Sequence, residues 1–489
     1  MAIPVDMFFM DPNFDGTLQQ QIQRMVSDGI LTGRFARGDK LPSSRKLAKH
    51  LNVSRITVTL AFTELLSDDY ITSRGRSGYY VSDNAPQRST FEKHAQDETG
   101  QAIDWSMRLN QRFTGHRLLH KPANWHAYRF PFVYGQVDDR IFDHSNWRLC
   151  AVQALGKKVF TSVTSDAYER DDPELIKYIV RHLLPRRGIA AKPDEIIITM
   201  GAQNALWLCA QVLLSGGKRA AMEDPGYPGL RAILSMANAH VLEVPVDENG
   251  MCFERVGADV DVMFATPSHH CPTNVTMPLA RRRALLDRAA ANDQIIVEDD
   301  YEFEISFMSS PVPALKSLDR DGRVIHIGSF SKALFPGLRL GYIVGAEPFI
   351  REVRALRTAM LRHPPGHLQR TVANFLSLGH YDAHVARMAQ RFRLRRTIMA
   401  DAIKEHGLQI ASPHTSGGSS FWMRAPIEVN TAELAERLRQ RGVLIEPGSA
   451  FFSSRELGHC HYRLAYSSIP KDRIDEGISI VADEINKAT

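Results

Sequence analysis

The stretch GSFSKALFPGLRLGY, residues 328–342, decides the reading of this chain. It sets Lys332 beside Ser329 and Ser331, with Arg339 just downstream. A lysine that attacks an aldehyde must first lose its proton, and partial burial beside another cation favours that loss. Neighbouring hydroxyls and a guanidinium suit a phosphate, the arginine through paired charge-assisted hydrogen bonds. Aldehyde and phosphate together describe pyridoxal 5'-phosphate (PLP), held on Lys332 as a Schiff base. A lone Ser-x-x-Lys string is common on protein surfaces, so the reading rests on the other parts of such a site.

A PLP pocket also needs a carboxylate at the pyridine nitrogen, a phosphate cup, an aromatic over the ring and a donor to the phenolic oxygen. Asp299 ends the apolar run QIIVEDDY, at the sheet edge where open α/β folds bind ligands. Tyr301 follows two residues later on the same strand face and can donate to the phenolic oxygen. IIITMGAQNAL reads as strand, turn and helix, which exposes the amides of Gly201, Ala202 and Gln203 at a positive helix end. Tyr227, in EDPGYPG, either stacks on the ring or packs its own turn. Arg463, in HYRLAYS, is a cation inside an apolar strand and needs an anion, for which a ligand carboxylate is a natural candidate.

The chain's 489 residues imply two or three domains. Hydrophobic content of 44% and charged content of 24% are those of a soluble globular protein. A formal net charge of +5 is small for this length, so any nucleic-acid surface must be a local patch. Cys150, Cys209, Cys252, Cys271 and Cys460 stand singly without CxxC spacing, which argues against a metal site or disulfide framework and for a cytoplasmic location. There is no basic leader and no run of 18 apolar residues, so neither export nor a membrane is expected.

Residues 1–81 read as three helices and a hairpin. Thr17 and Gln20 form a capping box for the first helix, the second begins near Ser43 and Ser44, and Ser54 caps the third. Strands are expected at Tyr70–Thr72 and Tyr79–Val81, joined by SRGRSG. Residues 82–101 are polar and aperiodic, a flexible linker. From 102 to 489 helical stretches alternate with apolar runs, which indicates a mostly parallel sheet covered on both faces and, over the last hundred residues, a smaller α/β lobe.

Between Arg34 and Arg76 there are nine basic and four acidic residues. The third helix opens with VSRITVT, small polar and cationic side chains suited to the major groove, and Arg74 and Arg76 lie on a turn that can meet the DNA backbone. GDKLPSSRKLAKHLNVSRITV and DDYITSRGRSGYYV resemble the winged helix-turn-helix of the GntR family almost continuously. Carried over position by position, that resemblance implies Ser44, Arg45, Ser54, Arg55, Thr57 and Thr59 as groove-facing residues and Arg74, Arg76 and Ser77 as the wing. Ser44 and Ser54 also read as helix caps.

The order MGAQ, EDPGYPG, HHCPTNVTMP, EDDY, SFSK, PGLRLGY, YRLAYS resembles the fold-type I aminotransferases over most of the rest of the chain. The fusion of such a module to a GntR reader, with LGHYDAHVARMAQRFRLRR at 378–396, is similar to the MocR/GabR family of transcriptional regulators. The resemblance implies Lys332 as the imine lysine, Asp299 at the pyridine nitrogen, Tyr301 at the phenolic oxygen, Tyr227 stacking, Ser329, Ser331 and Arg339 at the phosphate, and Arg463 at an effector carboxylate. It further implies a regulator that senses a small amino compound through an external aldimine and controls transport or catabolic genes. A homodimer on double-stranded operator DNA is expected, with readers swapped between subunits. An active aminotransferase regulated by its DNA-binding domain is the alternative.

The chain departs from the aminotransferase pattern in three places. Cys271 stands where an asparagine usually meets the phenolic oxygen, with Asn274 in place of the following glycine. That leaves the bond to Tyr301, with His269 or His270 as possible helpers. Ser420, in GGSSFWM, replaces a histidine beside the small lobe. YERDDPELIKYIV lacks the usual glycine after its Asp-Pro.

Overall fold

The computed structural model describes residues 1–86, 103–109, 113–115, 119, 121–136, 138–308, 312–412 and 417–488. The chain divides into two compact units, Met1–Gln111 and Arg112–Thr489.

In the first unit α1 spans Leu18–Leu31, α2 Ser44–Leu51 and α3 Arg55–Ser67. The capping box at the start of α1 forms as expected, with Thr17 Oγ1 accepting from the Gln20 amide and Gln20 Oε1 accepting from the Thr17 amide. Ser43, not Ser44, caps α2, and Ser54 caps α3 by accepting from the Thr57 amide at 3.1 Å. Val58, Ala61, Phe62 and Leu65 turn one stripe of α3 into a core that includes Ile22, Val26 and Leu47. The hairpin is β1, Ile71–Ser73, antiparallel to β2, Tyr79–Val81, with Thr72 opposite Tyr80. Its first strand begins one residue later than expected because the Tyr70 amide closes α3 by donating to Leu65 O. Of the expected linker, residues 82–86 pack onto this unit: Ala85 is buried and its carbonyl accepts from Arg37. Residues 87–101 lie outside the described residues.

The second unit is built on an eight-stranded sheet. Its strands are β3 (Ile196–Thr199), β4 (Arg219–Asp224), β5 (His240–Asp247), β6 (Gly250–Met251), β7 (Val262–Ala265), β8 (Ile295–Asp300), β9 (Val324–Ser329) and β10 (Gly341–Val344). The spatial order is β3-β10-β9-β8-β7-β4-β5-β6. The run β9-β8-β7-β4-β5 is parallel, while β10 is antiparallel to both its neighbours and β6 folds back on β5. Ile196 and Ile198 enter one core and Ile197 another, which is the two-faced burial expected of runs this apolar.

A smaller sheet near the C-terminus joins β11 (Gln409–Ile410), β12 (Ser420–Arg424), β14 (His461–Ala465) and β13 (Glu446–Pro447), in that spatial order. It packs on the long helix His380–Glu405 and the final helix Ile474–Asn486 through Met399, Met423, Tyr462 and Ile478. The parallel strands of the large sheet place their carboxyl ends on one edge, where open α/β sheets build their sites.

Candidate functional site

That edge holds a cavity of about 180 Å³. Ala202, Gln203, Tyr227, Asp299, Tyr301, Ser329, Ser331, Lys332, Arg339 and Arg463 all line it. Gly201 stands just behind. Its φ of 83° is in the left-handed region, and a β-carbon there would come 3.5 Å from the Arg339 guanidinium. The helix Ala202–Leu213 starts at this point, so its free amides and Arg339 bracket one anion-sized position. Close packing behind the cup also requires Gly341, where a β-carbon would fall 2.7 Å from Gly328 O and 3.2 Å from Gly201.

Asp299 and Asp300 end β8 and, being consecutive on a strand, face opposite ways. Asp300 Oδ2 accepts from Arg187 Nε at 2.7 Å while its Oδ1 is buried without a partner; burial would raise its pKa, but Arg187, His326 and Ser268 together hold it low. Asp299 has no such partner. Its Oδ1 is buried and unbonded, and burial, with the charges of Asp300 and Glu223, pushes its pKa up to about 7. A carboxylate left in this state is suited to a protonated ring nitrogen. Ser331 Oγ is likewise buried without a partner, while Ser329 Oγ accepts from the Ser331 amide. These unmet groups, the glycine-lined cup and the lysine fit PLP.

Burial lowers the pKa of Lys332, and Arg463 adds to the effect against the opposing pull of Glu302. Its ammonium lies 4.1 Å from the centre of the Tyr134 ring, and the Arg463 guanidinium lies 3.9 Å from the same centre. Tyr134 was not legible in the sequence reading, because FPFVYGQ carries no motif. Gly135, next to it, has a φ of 68°, and a β-carbon there would fall 2.2 Å from Lys332 Nζ, so glycine is what admits the lysine. Glu302 lies on the other side of Lys332, where both line a second, smaller cavity. It accepts from Ser419 Oγ at 2.5 Å, and burial raises its pKa.

Arg463 is not a free cation. Its Nε donates to Glu446 at 2.7 Å across the β13–β14 pair, which satisfies the need for an internal anion. Among the described residues its Nη groups have no hydrogen-bond partner, and they are what remains for a ligand's acid group.

The three departures have local explanations. Asn274 adopts a φ of 59°, the left-handed conformation that otherwise favours glycine, and its Nδ2 donates to Ser420 O at 2.7 Å and to Ser420 Oγ at 3.1 Å. Ser420 thus braces the turn from β12. Cys271 lines the cavity, whereas His269 and His270 do not, and burial pushes their pKa values down to about 4 and about 3. His270 Nδ1 is 2.7 Å from Thr273 Oγ1, and neither histidine shares the cavity lining with Tyr301. The third segment continues past Pro173 as the helix Pro173–Tyr178, capped by Asp172, and none of it lines the cavity.

On the first unit Arg45, Ser54, Arg55 and Thr59 are exposed, with Ser44 and Thr57 partly so. Arg55 Nε donates to Ser44 Oγ at 3.5 Å, which links the starts of α2 and α3. Thr59 Oγ1 donates to Arg55 O, and Ser54 Oγ lies 2.8 Å from Thr57 Oγ1, so these hydroxyls already serve the helix itself. In the hairpin loop the Arg74 guanidinium covers the Tyr80 ring at 4.7 Å and Ser77 Oγ meets Tyr80 Oη at 2.6 Å. The side chain of Arg76 lies outside the described residues.

Residues 18–81 match the bacterial regulatory proteins of the gntR family, and residues 159–481 match the aminotransferases of class I and II. The chain is 56% identical to the HTH-type transcriptional regulator TauR of Rhodobacter capsulatus, covering 99% of both. It is 31% identical to the probable rhizopine catabolism regulatory protein MocR of Rhizobium meliloti, over 82% of this chain and 80% of that one. Among solved structures it is similar to the Pyrococcus horikoshii kynurenine aminotransferase in complex with PMP, with a TM-score of 0.68 and 27% identity over 74% of this chain and 92% of the other. No helix among the described residues is long and apolar enough to cross a membrane. With a GntR-type DNA-binding unit and an aminotransferase fold in one chain, matched almost end to end by regulators, the protein belongs to the MocR family of GntR-type transcriptional regulators.

Proposed function

We propose that this regulator binds operator DNA through residues 1–81, holds PLP on Lys332, and answers to a small amine that takes the lysine's place. The observation that carries the reading is the set of unmet groups around one lysine: Asp299 Oδ1 and Ser331 Oγ, both buried and unbonded at the cavity that Lys332 lines. When bound, PLP supplies an aldehyde carbon on which primary amines exchange. Asp299 would face its ring nitrogen, Arg339, Ser329, Ser331 and the amides of Gly201, Ala202 and Gln203 would hold its phosphate, Tyr227 would stack on the ring and Tyr301 would meet the phenolic oxygen. The free Nη edge of Arg463 takes the acid group of an amino acid-like effector, and Glu302 faces the amine of Lys332 once it is released.

The signal then passes to the reader as a shift between states of different DNA affinity, which requires the effector to bind those states unequally. We further infer a homodimer in the cytoplasm, since paired half-sites need paired readers, with the part of the expected linker beyond residue 86 long enough for the readers to swap between subunits. The full set of site residues in one cavity also favours slow transamination as a second reading. Sustained turnover of an amino donor with a keto acid would establish it.

The reader assignment is tested by Arg55→Ala in the full chain. Loss of one bidentate guanine contact, worth about 1–3 kcal/mol, weakens specific binding roughly 5- to 150-fold. Arg74→Ala weakens binding to all sequences alike and lowers the salt slope by about 0.9. Electrophoretic mobility shifts across a salt series separate the two; equal affinities for both variants and the parent would remove these arginines from the DNA.

A further inference from the structure

The face of α3 that points away from the core carries two exposed aliphatic side chains among polar ones. Val58, Ala61, Phe62 and Leu65 define the buried stripe. At about 100° per residue, Ile56 and Leu60 lie one turn apart on the opposite face, with Arg55 and Thr59 to one side. Ile56 is 70% exposed and Leu60 48%. Single apolar residues on a surface are ordinary, but two aligned on the outward line of a helix inside a cationic rim call for an occupant.

The rim identifies it. Arg45 and Lys46 in the first turn of α2, Lys49 in its last turn and Arg55 at the start of α3 are all exposed, and no acidic residue occupies the first turn of either helix. The acids Glu64, Asp68 and Asp69 gather at the far end of α3. A polyanion therefore meets the N-terminal half of α3, where Ile56 lies in the first turn. Within B-DNA's major groove the apolar feature on a base edge is the thymine 5-methyl group.

We propose that Ile56 and Leu60 form an apolar reading edge that recognises thymine methyl groups in the major groove. The proposal rests on the first unit being a DNA reader. Polar neighbours fix register through phosphates and the guanine contact of Arg55, while the two aliphatic side chains select thymine at adjoining positions. Covering a methyl removes its apolar surface from water, and replacing it by hydrogen loses about fourfold in affinity per position.

The test uses the full PLP-loaded chain and a duplex that it selects from a random-sequence library. Each thymine in that duplex is replaced in turn by deoxyuridine, which deletes only the methyl group. The expected result is a loss of about fourfold at one or two positions for the parent, a smaller loss for Ile56→Val, and none at the Ile56 position for Ile56→Ala. Leu60→Ala should erase the loss at a different position. If no thymine responds, or if Ile56→Ala and Leu60→Ala keep the parental ratio, the proposal is overturned. If Ile56→Ala instead changes the oligomeric state with the thymine-to-uracil ratio intact, this face contacts protein and the proposal also falls. Failure to select any duplex would refute the reader assignment itself, a result distinct from those outcomes.

Discussion

Lys332→Ala abolishes the borohydride-fixed bond between PLP and the chain and leaves DNA affinity in the absence of amine unchanged. Among the described residues lining the cavity Lys332 is the lysine, so no neighbour replaces it. Its nucleophilicity depends on burial, which lowers its pKa, and on Gly135, whose missing β-carbon leaves room for the amine. The substitution removes the cation that faces Tyr134, a contact worth about 1 kcal/mol, too little to unfold a unit of this size. Reduction followed by peptide mass spectrometry reads the result. The parent carries the pyridoxyl mass on the peptide that contains Lys332, and the variant carries none; an adduct elsewhere in the parent would contradict the assignment.

Asp299→Asn stabilises the PLP-free protein at pH 8 and does nothing at pH 4. The folded-state pKa of Asp299 is raised from 3.8 to about 7, by burial first and by neighbouring carboxylates second. In the folded state the group therefore keeps a proton that the unfolded chain has lost. Its contribution is fully favourable below pH 4, falls as pH rises towards 7, and levels off above that. Three pKa units correspond to a cost on the order of 4 kcal/mol. Asparagine carries no such charge, so the variant melts higher at pH 8. Bound PLP reverses the order, because a protonated ring nitrogen pairs with the charge of Asp299 and finds none on the asparagine of the variant. Melting curves at the two pH values, with and without PLP, check both halves, and a variant less stable than the parent at pH 8 without PLP would overturn this account of Asp299.

Much of the cavity was legible because each part sits at the end of its own strand and carries its own signature. Asp299 lies near the end of β8 with Tyr301 just after it, Lys332 follows β9, Gly201 follows β3 and Tyr227 follows β4, and strands running the same way bring those ends together. Tyr134 escaped notice because it reaches Lys332 across nearly two hundred residues from a segment without a motif. The ion pair of Arg463 with Glu446 depends on the cross-strand register of the small sheet, which sequence patterning leaves open. On α3 polarity points to the hydroxyls and Arg55, whereas helical pitch also puts Ile56 and Leu60 on the outward face. Adjacency in sequence suggests His269 and His270 as helpers of Tyr301, but the chain's path after β7 keeps both off the cavity.

The proposed function requires that the chemistry at Lys332 reach the DNA reader. Its most direct measurement is the affinity of the full PLP-loaded chain for its selected duplex, titrated with primary amines and amino acids. At least one amine should change the parent's affinity tenfold or so, an ordinary coupling of about 1.4 kcal/mol, and should leave Lys332→Ala unmoved. An identical response in parent and variant, or a parent indifferent to every amine that alters its visible spectrum, would contradict the account.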